Sequence, residues 1–112
     1  MATFNGTNNN EILTGSDQED QIFGNNGDDT LDGGQGNDTL TGGNGRDTYL
    51  FRIGSGKDII DDYNSNNDAL QFENIATKDL DISISGSNLV IKYGNNDQVT
   101  LLNQFNRRRD IY

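Results

Sequence analysis

The chain has 112 residues, of which 30% are hydrophobic, and 18 acidic against 8 basic residues give it a formal net charge of −10. It contains no Cys and no His, which excludes disulfide bonds and argues against zinc or copper sites with nitrogen and sulfur ligands. The negative charge argues against nucleic acid as a partner, and no apolar segment has the length of a transmembrane helix.

The net negative charge is concentrated in the first half: residues 1–50 carry nine acids and one base, a net charge of −8, whereas residues 51–112 carry nine acids and seven bases, a net charge of −2. Burial of apolar surface contributes about 25 cal/mol per Å², while ordering each residue costs roughly 1–2 kcal/mol. A chain with a mean hydropathy of −0.81 therefore needs stabilisation beyond its core. Oxygen ligands are abundant, so a hard cation is the natural partner, with calcium first among them.

Residues 6–50 repeat with a strict period of nine. In register, the segments are GTNNNEILT (6–14), GSDQEDQIF (15–23), GNNGDDTLD (24–32), GGQGNDTLT (33–41) and GGNGRDTYL (42–50). The first position is always Gly, the sixth is always acidic and the eighth is always apolar. The sixth-position residues are Glu11, Asp20, Asp29, Asp38 and Asp47, and the eighth-position residues are Leu13, Ile22, Leu31, Leu40 and Tyr49.

Each column has a structural meaning. Gly at the first, second and fourth positions allows the backbone to turn through positive φ, and the last three positions form a short β-strand whose middle residue points inward. Two turns and two strands make a coil of 18 residues. The period therefore predicts an all-β fold, a parallel β-roll with two sheets facing each other across a thin core.

Alternate repeats of such a roll stack on the same edge. The first edge carries Glu11, Asp29 and Asp47 at the sixth position. The second edge carries Asp20, Asp38 and Asp58, the last of these from the fragment GSGKDII (54–60). Carboxylates stacked at about 4.8 Å repel each other unless a cation lies between them. With carbonyl oxygens from the turns, this arrangement predicts calcium coordination.

The segments GGQGNDTLT and GGNGRDTYL resemble the haemolysin-type RTX (repeats-in-toxin) nonapeptide, G-G-x-G-x-D-x-U-x, in which U is large and apolar. In that family, each calcium lies between two successive turns on one edge. The first turn supplies the carbonyls of its second and fourth positions and its Asp, and the second supplies the carbonyls of its first and third positions and its Asp. The resemblance implies about three or four calcium ions in this chain.

The implied sites are numbered here in chain order. Site II joins Ser16, Gln18 and Asp20 to Gly33, Gln35 and Asp38; site III joins Asn25, Gly27 and Asp29 to Gly42, Asn44 and Asp47; site IV joins Gly34, Gly36 and Asp38 to Ile53, Ser55 and Asp58. Site I would join Thr7, Asn9 and Glu11 to Gly24, Asn26 and Asp29. We expect site I to be weak or empty, because Glu11 is one methylene longer than Asp and its turn lacks the second Gly.

The period ends after Leu50. Four short β-forming segments follow, Ala69–Phe72, Leu80–Ile84, Asn88–Tyr93 and Gln98–Leu102, and we predict that they form hairpins rather than parallel coils. Their apolar residues, with Phe51, Phe72 and Phe105, are expected to cover the open end of the roll. The prediction is one module, with the roll in residues 1–60 and a C-terminal β capping region in residues 61–112. This second part also resembles the segment that commonly follows RTX repeats.

The resemblance also implies how the protein is used. RTX proteins leave bacteria by type I secretion with an uncleaved C-terminal signal, which agrees with the absence of a recognisable N-terminal signal peptide. Extracellular calcium would then fold the module, which would stabilise an attached toxin, protease, lipase, epimerase or adhesin domain. We expect the chain itself to be monomeric and not an enzyme.

The same sequence features have other interpretations. A Gly/Asn/Asp-rich segment is typical of a disordered linker, but the apolar eighth column argues against disorder when calcium is present. Carboxylate pairs also serve glycosidases, yet here they recur with the structural period. A calcium-dependent polysaccharide or host-surface binding module is the alternative function. It would use the outward Thr30, Thr39, Thr41 and Thr48, or the basic run Arg107–Arg109.

Overall fold

The computed structural model describes residues 2–61, 69–94 and 96–102. These residues form eleven strands and one 3-10 helix (Thr77–Asp79), and none of them lies in a helix long and apolar enough to cross a membrane. The strands are β1 (Ala2–Asn5), β2 (Ile12–Thr14), β3 (Asp20–Phe23), β4 (Thr30–Asp32), β5 (Thr39–Thr41), β6 (Thr48–Phe51), β7 (Lys57–Ile60), β8 (Ala69–Phe72), β9 (Asp81–Ser85), β10 (Asn88–Lys92) and β11 (Gln98–Leu101).

Successive strands of the repeat region alternate between two sheets. The odd-numbered strands β1, β3, β5 and β7 belong to a seven-stranded sheet with the order β1-β3-β5-β7-β11-β10-β9. The even-numbered strands form a four-stranded sheet with the order β2-β4-β6-β8. All neighbours within β1–β8 are parallel. The predicted all-β parallel β-roll is confirmed.

The strand register reproduces the nine-residue period of the sequence. Ile22 pairs with Leu40 in one sheet, and Leu31 pairs with Tyr49 in the other, each pair 18 residues apart. These four side chains are at most 2% exposed and face the interior. The eighth column is therefore the core of the roll, as alternation along a short strand requires.

Close stacking of the turns explains the glycine columns. Gly36 has φ of 91°, and a Cβ placed on it would lie 2.6 Å from the carbonyl oxygen of Gln18 in the coil before. Asn25 occupies the second position of its repeat, which is Gly in the next two repeats, and it adopts φ of 70°. Asn tolerates this left-handed conformation better than other non-glycine residues.

Two additional residues, Phe51 and Arg52, lengthen the coil that links β5 to β7, so that Thr39 pairs with Ile59, 20 residues later. Phe51 is fully buried and stacks on Phe72, with ring centroids 5.6 Å apart, while Tyr93 lies 5.2 Å from Phe72. Such aromatic contacts contribute beyond the area that they bury. The inserted residues thus widen the core where the repeat ends.

Two of the four predicted hairpin strands pair in parallel with strands of the roll. The prediction for Ala69–Phe72 was wrong, because β8 pairs in parallel with β6, with Leu70 opposite Tyr49 and Phe72 opposite Phe51. Its two inward apolar side chains match those of β6, which allows it to extend the sheet. The prediction for Gln98–Leu102 was half right, since β11 is antiparallel to β10 but parallel to β7.

The predicted hairpin of β9 and β10 is confirmed, with Ile84 opposite Leu89. Ile91, Tyr93 and Val99 join the buried core of the roll, so this region covers the interior beyond the last repeat. Phe105 and the run Arg107–Arg109 lie outside the described residues. The division at residue 60 stays a prediction, although parallel coil pairing extends past it into β8 and β11.

The four outward Thr residues do not share one face. Thr30 and Thr48 are paired in the four-stranded sheet, whereas Thr39 and Thr41 belong to β5 in the seven-stranded sheet. The continuous threonine surface that was considered from the sequence is therefore divided between opposite sides of the roll.

The eighth column should carry most of the core stability. Leu40 is fully buried and Ile12 is 78% exposed, so Leu40→Ala should lower the free energy of unfolding by about 2–5 kcal/mol. Ile12→Ala, the control, should change it by less than about 0.5 kcal/mol. Urea unfolding in saturating calcium measures both variants. Equal effects would contradict the assignment of the core to this column.

Candidate calcium sites

The sixth-position side chains lie inside the roll, at its two edges. Asp20, Asp29, Asp38, Asp47 and Asp58 are each at most 2% exposed, while Glu11 is half-buried. Removing a carboxylate from water is costly unless a charge or a set of donors replaces the water. Five such residues in so small a protein require an explanation.

One oxygen of each buried carboxylate holds the coil before it. The Oδ1 atom of Asp29 accepts a hydrogen bond from the N–H of Glu11 at 3.0 Å, and that of Asp47 accepts one from the N–H of Asp29 at 2.9 Å. On the second edge, Asp38 Oδ1 accepts from Asp20 N–H and Asp58 Oδ1 accepts from Asp38 N–H, both at 2.9 Å. The structure therefore stacks the acids in the two columns that the sequence predicts.

The second oxygen distinguishes the start of a column from its middle. Glu11 Oε1 accepts from Thr7 N–H at 2.6 Å, and Asp20 Oδ2 accepts from the N–H and the hydroxyl of Ser16 at 2.7 and 2.8 Å. By contrast, the Oδ2 atoms of Asp29 and Asp38 are buried and accept no hydrogen bond from the described residues. These two acids are the ones shared between neighbouring sites, and a cation beside them would satisfy both atoms.

Main-chain carbonyl oxygens lie in the same gaps between coils. In site II, a Cβ on Gly34 would lie 2.7 Å from Ser16 O, a Cβ on Gly36 would lie 2.6 Å from Gln18 O, and a Cβ on Gly15 would lie 2.5 Å from Gly33 O. The other sites have carbonyl oxygens that approach a glycine of the neighbouring coil in the same way. They belong to Asn25, Gly27 and Gly42 in site III, to Gly36 in site IV, and to Asn9 and Gly24 in site I.

These oxygens agree with the predicted ligand sets, whereas ligation itself stays a prediction. The fold brings the remaining predicted donors into the stacked turns of their sites, and they are the carbonyls of Thr7, Asn26, Gly34, Gln35, Asn44, Ile53 and Ser55. No three acidic side chains of the described residues converge on one point, so each site offers two carboxylates supplemented by neutral oxygens. An all-oxygen set of this kind suits calcium and not the softer transition metals.

Burial changes the protonation of the stacked acids. Burial, together with neighbouring acids, raises the pKa of Asp38 from 3.8 to about 7 and that of Asp58 to about 8, and it also raises the pKa of Asp29. Asp20 differs: burial raises its pKa, but hydrogen bonds from Ser16 and from Ala2 N–H outweigh this effect and leave the pKa lowered. The middle and end of the second column thus resist ionisation unless a positive charge is added.

Several residues that the sequence analysis did not assign to the calcium sites support these turns. Tyr49 Oη accepts from the N–H of Gly42 at 2.8 Å. Arg52 connects two coils, with Nη1 3.0 Å from Asp32 Oδ2 and Nη2 2.8 Å from Glu73 Oε1. Asp97 is 93% buried and contacts the turn of site IV. A signal for Asp97 was available, since GNND (94–97) has the Gly/Asn/Asp composition of a repeat turn.

Without calcium, folding should depend on pH in a defined direction. Because the folded pKa values of Asp38 and Asp58 exceed the ordinary 3.8, these groups stabilise the folded state at low pH, and that contribution is lost as pH rises through about 7 to 8. In calcium-free buffer, the β signal in circular dichroism should therefore grow as pH falls from about 9 to about 5.

Two variants test whether the buried acids cause that change. Asp58→Asn mimics the protonated acid and should extend the folded signal to higher pH. Asp79→Asn removes an exposed charge and should leave the transition where it is. A β signal that does not vary over this pH range would contradict the assignment.

Comparison with known proteins agrees with this geometry. The family model of the RTX calcium-binding nonapeptide repeat (four copies) matches residues 5–40 and 14–49. No curated protein matches the chain significantly. Among solved structures, an extracellular lipase from Serratia marcescens is 27% identical with a TM-score of 0.54, over 90% of this chain and 18% of the lipase.

A second solved structure is matched over most of its own length. It is a subunit of a mannuronan C5-epimerase from Azotobacter vinelandii, 29% identical with a TM-score of 0.55, over 88% of this chain and 82% of that subunit. The matched family segment covers the coils that hold Glu11 to Asp47 and thus most of the stacked acids. Residues 5–49 therefore belong to the RTX calcium-binding nonapeptide repeats, and the chain is a calcium-binding β-roll.

Proposed function

We propose that this chain is a calcium-triggered folding module of a protein that bacteria export by type I secretion. The observation that carries the proposal is the pair of buried carboxylate oxygens, Asp29 Oδ2 and Asp38 Oδ2, that accept no hydrogen bond from the described residues. Extracellular calcium modules typically have dissociation constants of about 10⁻⁴–10⁻³ M. Such affinity leaves the chain unfolded at cytosolic calcium and folded outside the cell.

The coupling between calcium and folding follows from the small core. The repeat region buries essentially one apolar side chain per nine residues, such as Leu31 and Leu40, which is little to offset the entropy of ordering the chain. The same fold stacks acids whose ionisation is unfavourable in the absence of a cation. Calcium removes this penalty and links consecutive coils, so its binding energy becomes folding energy.

In this proposal the module is a monomer, is not itself an enzyme, and acts on a domain to which it is attached. The lipase match supports this arrangement, since the chain corresponds to 18% of that enzyme. A domain that folds only in extracellular calcium would stay unfolded in the cell until it is exported. Once folded, the roll would stabilise or position the attached domain.

The proposal includes three strong ions, at sites II, III and IV, and a weak or empty site I. Glu11 supports this ranking, because its side chain is one methylene longer and half-buried, unlike the fully buried aspartates. Sites II and IV share Asp38, so calcium binding at one should favour the ionised form of Asp38 that the other also requires.

Calcium titration of the 112-residue chain tests the folding switch. Circular dichroism between zero and about 10 mM calcium should show unfolded chain converting to β structure, and magnesium at the same concentration should not replace it. Asp38→Asn affects two sites, so it should raise the midpoint calcium concentration at least about tenfold and more than Asp47→Asn does. The control Asp79→Asn should leave it unchanged. A spectrum that does not change with calcium would refute the proposal.

A second candidate function is calcium-dependent binding of an acidic polysaccharide. The match to 82% of an epimerase subunit whose enzyme is named for mannuronan favours it. The net charge of −10 opposes it, because a polyuronate would be repelled unless calcium bridges the two anions. Retention of the chain on an alginate resin, with neutral dextran as the control matrix, decides the question. In calcium and at near-physiological salt, the polysaccharide function predicts that the alginate resin retains the chain and that dextran does not. A pure folding module predicts retention on neither.

A further inference from the structure

The second acidic column ends in an unusual way. Strand β11 lies beside β7, with Val99 opposite Asp58. By strand register, Val99 therefore occupies the place of the next sixth-position acid after Asp20, Asp38 and Asp58, and it is fully buried. Site IV is thus the last site on this edge, and no calcium-binding carboxylate follows it in the column.

A different carboxylate reaches the same turn from the far side. Asp97 Oδ2 accepts a hydrogen bond from Gly54 N–H at 3.0 Å, and Asp97 Oδ1 accepts one from Gly56 N–H at 2.9 Å. Gly54 and Gly56 have φ of 99° and 87°, which points their N–H groups to one side of the turn. Such a concave set of N–H groups binds anions, and Asp97 is 7% exposed there.

This contact gives the turn of site IV a hydrogen-bond partner that the first turn of the column does not have. Gly54 has the position in its turn that Ser16 has in site II, where Ser16 N–H donates to Asp20 Oδ2. In the last turn the equivalent N–H donates to Asp97 instead. The N–H groups of Gly54 and Gly56 are therefore held by Asp97, and Gly56 O accepts from Gln98 N–H. The carbonyls of Ile53 and Ser55 are the ones that the predicted site IV would use.

We propose that Asp97 is a positioning residue for site IV, which replaces the calcium-bound turn that would otherwise follow and attaches the capping strands to the roll. In an interior coil, ions on both sides would hold each turn through its carbonyl groups. At the end of the column, the negatively charged Asp97 carboxylate holds the turn through the N–H groups of the turn, where a positively charged ion would use its carbonyl groups. The inference rests on the proposed binding of calcium at site IV.

Calorimetric titration of the full chain with calcium tests this role. Asp97→Asn removes the charge at nearly constant size, and residues that orient ligands typically change metal affinity by about 10–100-fold. We expect one of the bound ions to be lost or weakened at least about tenfold, with the others within about twofold. Asp79→Asn removes the same charge from an exposed position of the capping region and should leave all ions unchanged.

A double-mutant cycle identifies the affected ion. Asp97→Asn should have no further effect on calcium affinity in an Asp58→Asn background, where site IV is already lost, and its full effect in an Asp47→Asn background, where site III is lost. Unchanged number and affinity of ions in Asp97→Asn would overturn the proposal, as would a uniform loss at all sites. If Asp97→Asn does not fold in calcium, Asp97→Glu takes its place, because it displaces the carboxylate by one methylene. This variant too should lose or weaken one ion and leave the others unchanged.

Failure of the underlying function has a separate signature. A wild-type chain that binds no calcium would refute the calcium module itself, whereas a wild type that binds calcium normally and an Asp97→Asn variant that matches it would refute only the role of Asp97.

Discussion

The stacking of buried carboxylates is the interaction on which the rest of this structure depends. Each sixth-position Asp gives one oxygen to the main chain of the neighbouring coil, so the acids cannot turn to solvent without losing the link between coils. Their second oxygens and their negative charge must be compensated in the same narrow space. Hydrogen bonds achieve this at Asp20, but not at Asp29 and Asp38. The same side chains therefore hold the coils together and create the requirement for a cation.

This arrangement joins stability and regulation in one set of residues. A larger apolar core would keep the roll folded without calcium, and the fold would then be insensitive to its surroundings. Here each repeat buries essentially one apolar side chain, such as Leu31 or Leu40, and burial raises the pKa of Asp38 to about 7 and that of Asp58 to about 8. In the proposed function, protons and calcium each relieve the repulsion, but only calcium would also bind the turn carbonyls. Calcium would then select the folded state by mass action.

The end of the roll is built by different means from its interior. Phe51, Phe72 and Tyr93 fill a widened core, Val99 replaces the next acid, and Asp97 contacts the last turn through its amide groups. Strands β9 and β10 continue the larger sheet in antiparallel fashion. The stacked acids of the repeat thus pass into a cap that is held by apolar burial and ordinary hydrogen bonds.

The sequence by itself determined the repeating part of the fold and the columns of acids. A strict period places chemically equal residues at equal positions, so Leu31, Leu40 and the stacked Asp29 and Asp47 follow from spacing and alternation alone. Only the tertiary structure decided the direction of β8 and β11, because a short apolar strand suits a hairpin or a parallel coil equally well until its neighbours are known. It also decided the contacts of Asp97, whose partners lie 41 and 43 residues away along the chain. The nine-residue period does not extend to this part of the chain, so it cannot predict such a contact. The contact forms because β11 lies beside β7.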